Sequence, residues 1–233
     1  MKNIFLVLVC ALMSSAVLAS EKSLYDFQWL DKDKEVYVLQ NRRFRKVDKV
    51  YVGVNGVKTM SGAFINSYGV SARAGYFLRE DWGIEFAYGK NSGSENDTAR
   101  GVRDQSTVPF YRKVESYMAA MVMWSPFYSK INTFNKVFYF DWMLGAGVAS
   151  IKTADNRNKF VSVADDSLTS ENNMGAIWNT GFRFYINDHW SLRLDLTGLH
   201  YNADKSTKKQ GANVKTNSIF SNYDLGIGLN YTF

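Results

Sequence analysis

The residues best suited to catalysis surround the two histidines of the chain, His189 and His200. Ser191 stands two positions after His189, and residues two apart on a strand project to the same side. A base beside a hydroxyl is the arrangement that activates a serine nucleophile. However, His189 falls in a predicted turn, and the spacing of Asp204 and Ser206 after His200 matches no catalytic set. We therefore predict that the protein is not an enzyme and that both histidines are interfacial.

Six charged residues fall on the polar face of alternating segments. They are Arg73, Glu85, Asp141, Arg183, Arg193 and Asp195. The strand order places Arg73 beside Glu85, and it places Arg183 between Asp141 and Asp195. Charges withdrawn from water must be paired, because an unpaired one costs several kcal/mol. The pattern predicts a structural ion-pair network inside a narrow lumen, with a selectivity ring for a permeating solute as the alternative.

Composition excludes several other kinds of site. Cys10 is the only cysteine and lies near the N-terminus, and with two histidines the chain offers no thiolate or zinc cluster. Phosphate-binding loops and dinucleotide fingerprints are missing too. We predict no metal and no cofactor. The net charge of +6 is modest, which argues against a nucleic-acid partner for an exported chain.

The N-terminus has the features of an export signal. A short basic lead precedes an apolar run from Ile4 to Leu18, and small residues around Ala19 suit a signal peptidase. A membrane anchor is the weaker interpretation, because the run is too short to span a bilayer comfortably. The predicted domains are a signal peptide at residues 1–19, a polar periplasmic lead-in at 20–46 and a membrane domain at 47–233.

Side chains alternate between apolar and polar over most of the membrane domain, which is typical of strands. The predicted strands are Val47–Asn55, Ser67–Tyr76, Trp82–Lys90, Tyr111–Trp124, Val137–Ser150, Met174–Tyr185, Trp190–His200 and Tyr223–Phe233. Their predicted connections are tight turns at 77–81 and 185–189, a longer turn at 125–136, and long polar loops at 91–109, 152–173 and 201–217. Short turns on one side and long loops on the other are the layout of outer-membrane barrels.

Alternation alone does not say whether the apolar face points inward, as in a soluble lipocalin-like barrel, or toward lipid. Most strand glycines, such as Gly75 and Gly89, share the polar face. A water-exposed face would favour larger polar residues, whereas a crowded lumen needs room. We therefore predict an apolar exterior, with aromatic girdles at the membrane interfaces. For the fourth strand the predicted lipid-facing residues are Tyr117, Ala119, Met121 and Met123.

The last strand has an unbroken apolar row that ends on an aromatic residue. Its members are Tyr223, Leu225, Ile227, Leu229, Tyr231 and Phe233. This row resembles the C-terminal sorting signal that the barrel assembly machinery reads during insertion. The resemblance implies that this machinery is a partner. In the preceding loop stand lysines that could meet lipopolysaccharide phosphates, although a solvated loop explains them equally well. They are Lys205, Lys208, Lys209 and Lys215.

Size and layout resemble small barrels of the OmpA/OmpX type. The segment 38–44, the turn residues Pro126, Tyr128 and Lys130, and the motif at 145–147 also resemble an outer-membrane β-barrel family of myxobacterial and predatory lineages. This resemblance implies fold and location rather than activity. The predicted fold is an all-β, eight-stranded antiparallel up-and-down transmembrane β-barrel. We expect a non-enzymatic outer-membrane protein with a structural or surface-interaction role; the alternatives are a narrow channel and a lipid A-modifying enzyme.

Overall fold

Eight strands account for most of the protein in the computed structural model, which describes residues 42–105, 108–133, 136–160, 167–209 and 212–233. The strands are β1 (Val50–Thr59), β2 (Ile65–Phe77), β3 (Trp82–Glu95), β4 (Arg112–Thr133), β5 (Lys136–Asp155), β6 (Thr169–Tyr185), β7 (Trp190–Lys209) and β8 (Ala212–Thr232). Each pairs antiparallel with the next, and β8 pairs with β1, so the sheet closes into a barrel. A closed barrel satisfies its backbone hydrogen bonds internally, as a membrane requires.

The two ends of the barrel differ in their connections. Residues 78–81 and 186–189 form tight turns at what we call the short-turn end, where β1 begins and β8 finishes. Residues 60–64, 96–111 and 156–168 connect strands at the opposite, long-loop end. This alternation of connection length is the one the sequence predicts.

The exterior of the barrel is apolar and the lumen contains the charges. Val54 and Phe86 are 63% and 60% exposed on the outer face, whereas Glu85 and Arg193 are 0% exposed inside. This distribution is the reverse of a soluble barrel and suits a surface wetted by lipid. The predicted fold class and the predicted direction of the apolar face are both confirmed.

Glycines make room for aromatic rings inside the lumen. A Cβ added at Gly75 would collide with the Tyr51 ring, and one added at Gly89 would collide with the Tyr117 ring. The two rings therefore lie flat against the inner wall at places where any larger residue would push them inward. Glycine does create space in the lumen, but here it is for tyrosines as well as for charged chains.

The prediction is wrong for the faces of β4, because the row assigned to lipid points into the lumen. The misassigned residues are Tyr117, Ala119, Met121 and Met123, none of them more than 7% exposed. The outward row contains Met118 and Val122 instead, at 65% and 52% exposure. Both rows of this strand are apolar, so alternation carries no information about direction. Methionine suits the lumen because its unbranched chain fills irregular gaps.

Several strands extend further than predicted. The predicted turn at 125–136 is largely strand, because a register shift between Trp124 and Phe127 accommodates Pro126 and β4 continues to Thr133. Proline is tolerated in a sheet at such a bulge. The predicted loop at 201–217 is mostly a hairpin, since β7 runs to Lys209 and β8 begins at Ala212. The polar residues of this segment obscure the strand pattern in the sequence, because both faces of a hairpin outside the membrane can contact water.

One predicted loop contains a short helix, α1 (Asp97–Asp104). Asn96 starts it, because its side-chain oxygen accepts a hydrogen bond from the Ala99 backbone N–H at 2.9 Å. Among the described residues, no helix has both the length and the apolar character needed to cross a bilayer. The predicted signal peptide and residues 20–41 of the predicted lead-in lie outside the described residues.

Candidate functional site

Four buried charges form what we call the central ion-pair layer: Arg73, Glu85, Arg193 and Asp195. Glu85 accepts hydrogen bonds from Arg73 Nη1 at 2.7 Å and from Arg193 Nη1 at 2.5 Å. Asp195 accepts from Arg193 Nε at 2.7 Å and lies 3.7 Å from Arg73 Nε. Two guanidinium groups and two carboxylates alternate across the lumen, so their charges balance.

Neutral polar side chains complete this layer. Asn55 donates to Asp195 at 2.9 Å, Arg193 donates to Asn179 at 3.0 Å, and Arg73 donates to Thr197 at 3.1 Å. The Tyr51 hydroxyl also donates to Glu85. Each charged group is thus held from β1, β2, β3, β6 or β7, and its rotamer is restricted by several partners. Within the layer, Arg73 Nε and Asn55 Oδ1 have no hydrogen-bond partner among the described residues, and the other contacts hold the charged groups in place. Removing one charged member would leave others unpaired.

Arg183 does not form the ion pairs that strand order predicts. It lies opposite Asp141 in the β5–β6 register, yet its guanidinium carbon sits 4.2 Å from the ring centroid of Tyr51 and 5.3 Å from that of Phe77. Within the described residues, its Nε and Nη2 atoms have no hydrogen-bond partner, and it has no ion pair with Asp141 or Asp195. A cation over an aromatic face is stabilised by the ring quadrupole. The predicted Arg183 pairs are therefore wrong, because the rings of Tyr51 and Phe77 hold its guanidinium.

The partner of Asp141 comes from before the first strand. Lys46 Nζ lies 2.7 Å from Asp141 and donates to Ser125 at 2.8 Å, while the Tyr185 hydroxyl donates to Asp141 at 2.5 Å. Lys46 is only 2% exposed. Burial lowers the pKa of Lys46, and the neighbouring Asp141 carboxylate partly offsets that effect. The sequence places Lys46 in a polar lead-in and carries no signal for this contact.

Phe44 covers the same end of the lumen. Its ring stacks on Tyr185 with centroids 4.7 Å apart and meets the edge of Tyr139 at 5.4 Å. Together with Lys46 and Asp141, these residues form what we call the mouth cluster. Because the compact unit begins at Arg42, residues 42–46 belong structurally to the barrel and close its short-turn end.

A third set of charges lies at the long-loop end. Arg112 pairs with Asp155 at 2.8 Å and with Glu171 at 3.0 Å, and Arg157 pairs with the same two carboxylates at 2.7 Å and 2.6 Å. A cavity of about 210 Å³ lies beside Arg112, lined on one side by Tyr201 and Phe220. The sequence places Asp155, Arg157 and Glu171 in a polar loop, because the extension of β5 and β6 is not predicted, and it places Arg112 in the fourth strand without a partner.

Comparison with known proteins identifies the family of this chain. Residues 7–233 match the family model described as outer membrane protein beta-barrel domain. The chain belongs to this family. No curated protein sequence matches it significantly. Among solved structures it is similar to the outer membrane protein OprG from Pseudomonas aeruginosa, with 14% identity, a TM-score of 0.50, and coverage of 82% of this chain and 98% of that chain.

Two further barrels show comparable similarity. The N-terminal barrel domain of OprF from Pseudomonas aeruginosa has 14% identity and a TM-score of 0.47, covering 80% of this chain and 98% of that chain. Neisserial surface protein A has 15% identity and a TM-score of 0.45, covering 79% and 96%. At such identities the likeness concerns the fold, and the role of this family member has to be argued from its own residues.

Both histidines of this outer-membrane barrel contact neighbouring side chains. The Trp178 indole N–H donates to His200 Nε2 at 2.9 Å, and His200 Nδ1 lies 2.9 Å from Ser221 Oγ. An indole can only donate, so a neutral His200 carries its proton on Nδ1 and donates it to the serine. The ring therefore presents no free lone pair to the hydroxyl. His189 stacks on Tyr231 instead, and Ser191 is buried in the lumen.

The other predicted sites are only partly described. The backbone of Lys205, Lys208, Lys209 and Lys215 lies in the β7–β8 hairpin, but their side chains fall outside the described residues. The terminal row of β8 faces outward, with Leu225 50% and Ile227 56% exposed. Its role as a sorting signal stays a prediction. Within the described part of the chain, no group of three or more histidine, cysteine or acidic residues could hold a metal ion.

Proposed function

We propose that the protein is a non-enzymatic, non-conducting integral protein of the outer membrane that acts through its outer surface and its extracellular loops. The observation that carries this proposal is the central ion-pair layer, in which four charges bridge the lumen at 0–4% exposure. A solute passing this level would have to separate pairs whose disruption costs about 3–5 kcal/mol.

The mouth cluster supports the same conclusion from the short-turn end. Phe44 and Lys46 occupy the lumen entrance, and Lys46 is fixed by Asp141 and Ser125. Two successive obstructions, one charged and one largely aromatic, would have to open together for transport. A lumen that is obstructed at two levels forms the packed core of the protein rather than a route for solutes.

We further propose that the short-turn end faces the periplasm and the long-loop end faces the cell exterior, which puts the N-terminal segment in the periplasm. Outer-membrane barrels characteristically have short periplasmic turns and longer external loops. In this orientation α1 and the β7–β8 hairpin stand at the cell surface, where they can contact lipopolysaccharide or other partners. Insertion by the barrel assembly machinery belongs to the same proposal.

Single-channel recording in planar bilayers tests the closed lumen. We expect no steady conductance from the wild-type protein. A variant combining Phe44→Ala and Lys46→Ala should still be silent, because the central ion-pair layer remains intact. Steady, ion-selective openings of the wild type would refute the proposal and support the narrow channel instead.

A narrow channel is the second candidate, because several luminal polar atoms have no partner among the described residues. Both side-chain polar atoms of Asn91 and of Asn230 are buried in this way, as is the Ser71 hydroxyl. Buried polar groups of this kind usually hold ordered water. A lipid A-modifying enzyme is less favoured, since His200 donates to Ser221; unchanged lipid A in cells expressing His200→Ala, measured by mass spectrometry, would exclude a role for this histidine.

A further inference from the structure

We propose that a furrow along β2, on the outer face of the barrel, binds a phosphorylated glycolipid of the outer leaflet. One acyl chain would lie along Ala72 and Ala74, and a phosphate would be held between Lys58 and Lys90. The inference rests on the proposed function in one respect: the long-loop end must face the cell exterior.

The furrow arises from small side chains between two ridges. Ala72 and Ala74 face outward from β2 and are exposed. Val54 and Val52 stand opposite them on β1, and on β3 their register partners are two exposed aromatic residues, Tyr88 and Phe86. Alanine between valine and an aromatic ring leaves a shallow, one-strand-wide depression at these two positions, which is bounded toward the long-loop end by the exposed Val70 and Tyr68. An acyl chain has the width and the apolar character to fill it.

Two lysines lie beyond this furrow toward the long-loop end, on the strands either side of Val70 and Tyr68. Lys58 on β1 is paired across the sheet with Tyr68, and Lys90 on β3 is paired with Val70, so one strand separates them. Since neighbouring strands lie about 4.8 Å apart and the two register partners are two residues apart along β2, at about 3.3 Å each, the two lysine backbones are roughly 12 Å apart. Their long side chains can reach a common point above β2, where Tyr68 is 58% exposed.

The lysines lie where the apolar band ends. Lys90 is eight positions along β3 from Trp82, which belongs to the aromatic residues at the short-turn end. With a rise of about 3.3 Å per residue and a tilt of about 40°, this separation is roughly 20 Å along the membrane normal. Lipid-facing apolar bands are about 25 Å tall, so Lys90 reaches the outer headgroup region.

Neither lysine has an ionic partner within the protein. Among the described residues, no carboxylate lies within ion-pairing distance of Lys58 or Lys90, and the Lys58 ammonium instead sits 5.6 Å from the Tyr68 ring centroid. Glu115, the acid nearest along the neighbouring strand, faces Lys152 at 3.7 Å. Unpaired ammonium groups at the edge of an apolar surface suit an anionic headgroup, and a phosphate offers charge-assisted hydrogen bonds to both.

Native mass spectrometry of the full-length protein in neutral detergent can test this site. The probes are bisphosphorylated, hexa-acylated lipid A and the same lipid with both phosphates removed. We expect the wild type to retain one lipid A, and to bind the dephosphorylated lipid at least tenfold more weakly. Combining Lys58→Gln and Lys90→Gln should weaken lipid A binding at least tenfold. Lys136→Gln, which removes an exposed lysine at the opposite end, should leave binding unchanged.

A second variant tests the acyl furrow independently of charge. Ala72→Trp fills the furrow from an exposed position and should weaken binding of both lipids, whereas Val148→Trp, exposed on β5, should not. Equal affinity for the two lipids, or equal loss in Lys136→Gln, would overturn the phosphate site. Unaltered binding by Ala72→Trp would overturn the furrow. These results are separable from the conductance test, which concerns the lumen alone.

Discussion

Replacing Glu85 by alanine should be the most destabilising single removal of charge in the described barrel. Glu85 accepts from Arg73 at 2.7 Å, from Arg193 at 2.5 Å and from Tyr51, and its side chain is fully buried. Among the described residues, both arginines would keep Asp195 as their one charged partner, at 3.7 Å and 2.7 Å. Leaving buried charges without their partner costs about 3–5 kcal/mol, and we expect a loss of that size.

The measurement is urea-induced unfolding of the protein in lipid vesicles, followed by tryptophan fluorescence and by the shift in gel mobility on heating. Glu115→Ala is the matched control, because it removes the same side chain from an exposed pair with Lys152 and should cost less than about 1 kcal/mol. Combining Glu85→Met with Arg73→Met should recover part of the loss, since the remaining Arg193 and Asp195 still balance. Equal losses in Glu85→Ala and Glu115→Ala would refute the reasoning and show that the luminal arginines are hydrated.

Three more predictions concern the lumen. Gly75→Ala should lower the free energy of unfolding by about 1–3 kcal/mol in the same assay, because the new methyl group meets the Tyr51 ring. Gly101→Ala is the control, since a Cβ there has no atom within 4 Å. Equal effects of the two substitutions would contradict the packing argument. Lys46→Met should make the chain more susceptible to trypsin at Arg42 and Arg45, measured by limited proteolysis, since the mouth cluster would lose its anchor; unchanged cleavage would argue against that cluster. Because burial lowers the pKa of Lys46, the unfolded state binds more protons than the folded state as pH approaches the ordinary lysine pKa of 10.5. The free energy of unfolding of the wild type should therefore rise relative to that of Lys46→Met as pH increases toward that value. A fall in this difference with increasing pH would contradict the prediction.

The fold could be predicted from the sequence because the two faces of a membrane barrel meet opposite environments: the outer face contacts lipid, and the inner face lines a polar lumen. The row of Val50, Val52 and Val54 on β1 is clear in the sequence, since two of the residues between and after them, Gly53 and Asn55, are small or polar. The same argument fails on β4, where the lumen itself is lined by methionine and tyrosine. Alternation reports a difference between faces, and it is silent where both faces are apolar.

Strand order predicts which residues are neighbours, but it does not predict which of them pair. It correctly places Arg73 next to Glu85 and Asp141 opposite Arg183. Side-chain length and competition then decide the outcome: Lys46 reaches Asp141 from outside the sheet, and Arg183 turns to Tyr51 and Phe77. Contacts from a segment without secondary structure have no period, so no pattern in the sequence could have revealed them.

The luminal charges also explain why the barrel adopts one register. A slip of one residue between two strands would exchange inward and outward rows. For β7 that slip would carry Arg193 and Asp195 into the lipid and bring leucines into the lumen. A charged side chain on the lipid face costs about 2–4 kcal/mol near the bilayer midplane for arginine. Such a slip is already unfavourable because it moves apolar side chains away from lipid. The buried ion pairs increase the free-energy cost further, because their charged groups would lose both their partners and their burial. The central ion-pair layer therefore specifies the fold as well as closing the lumen.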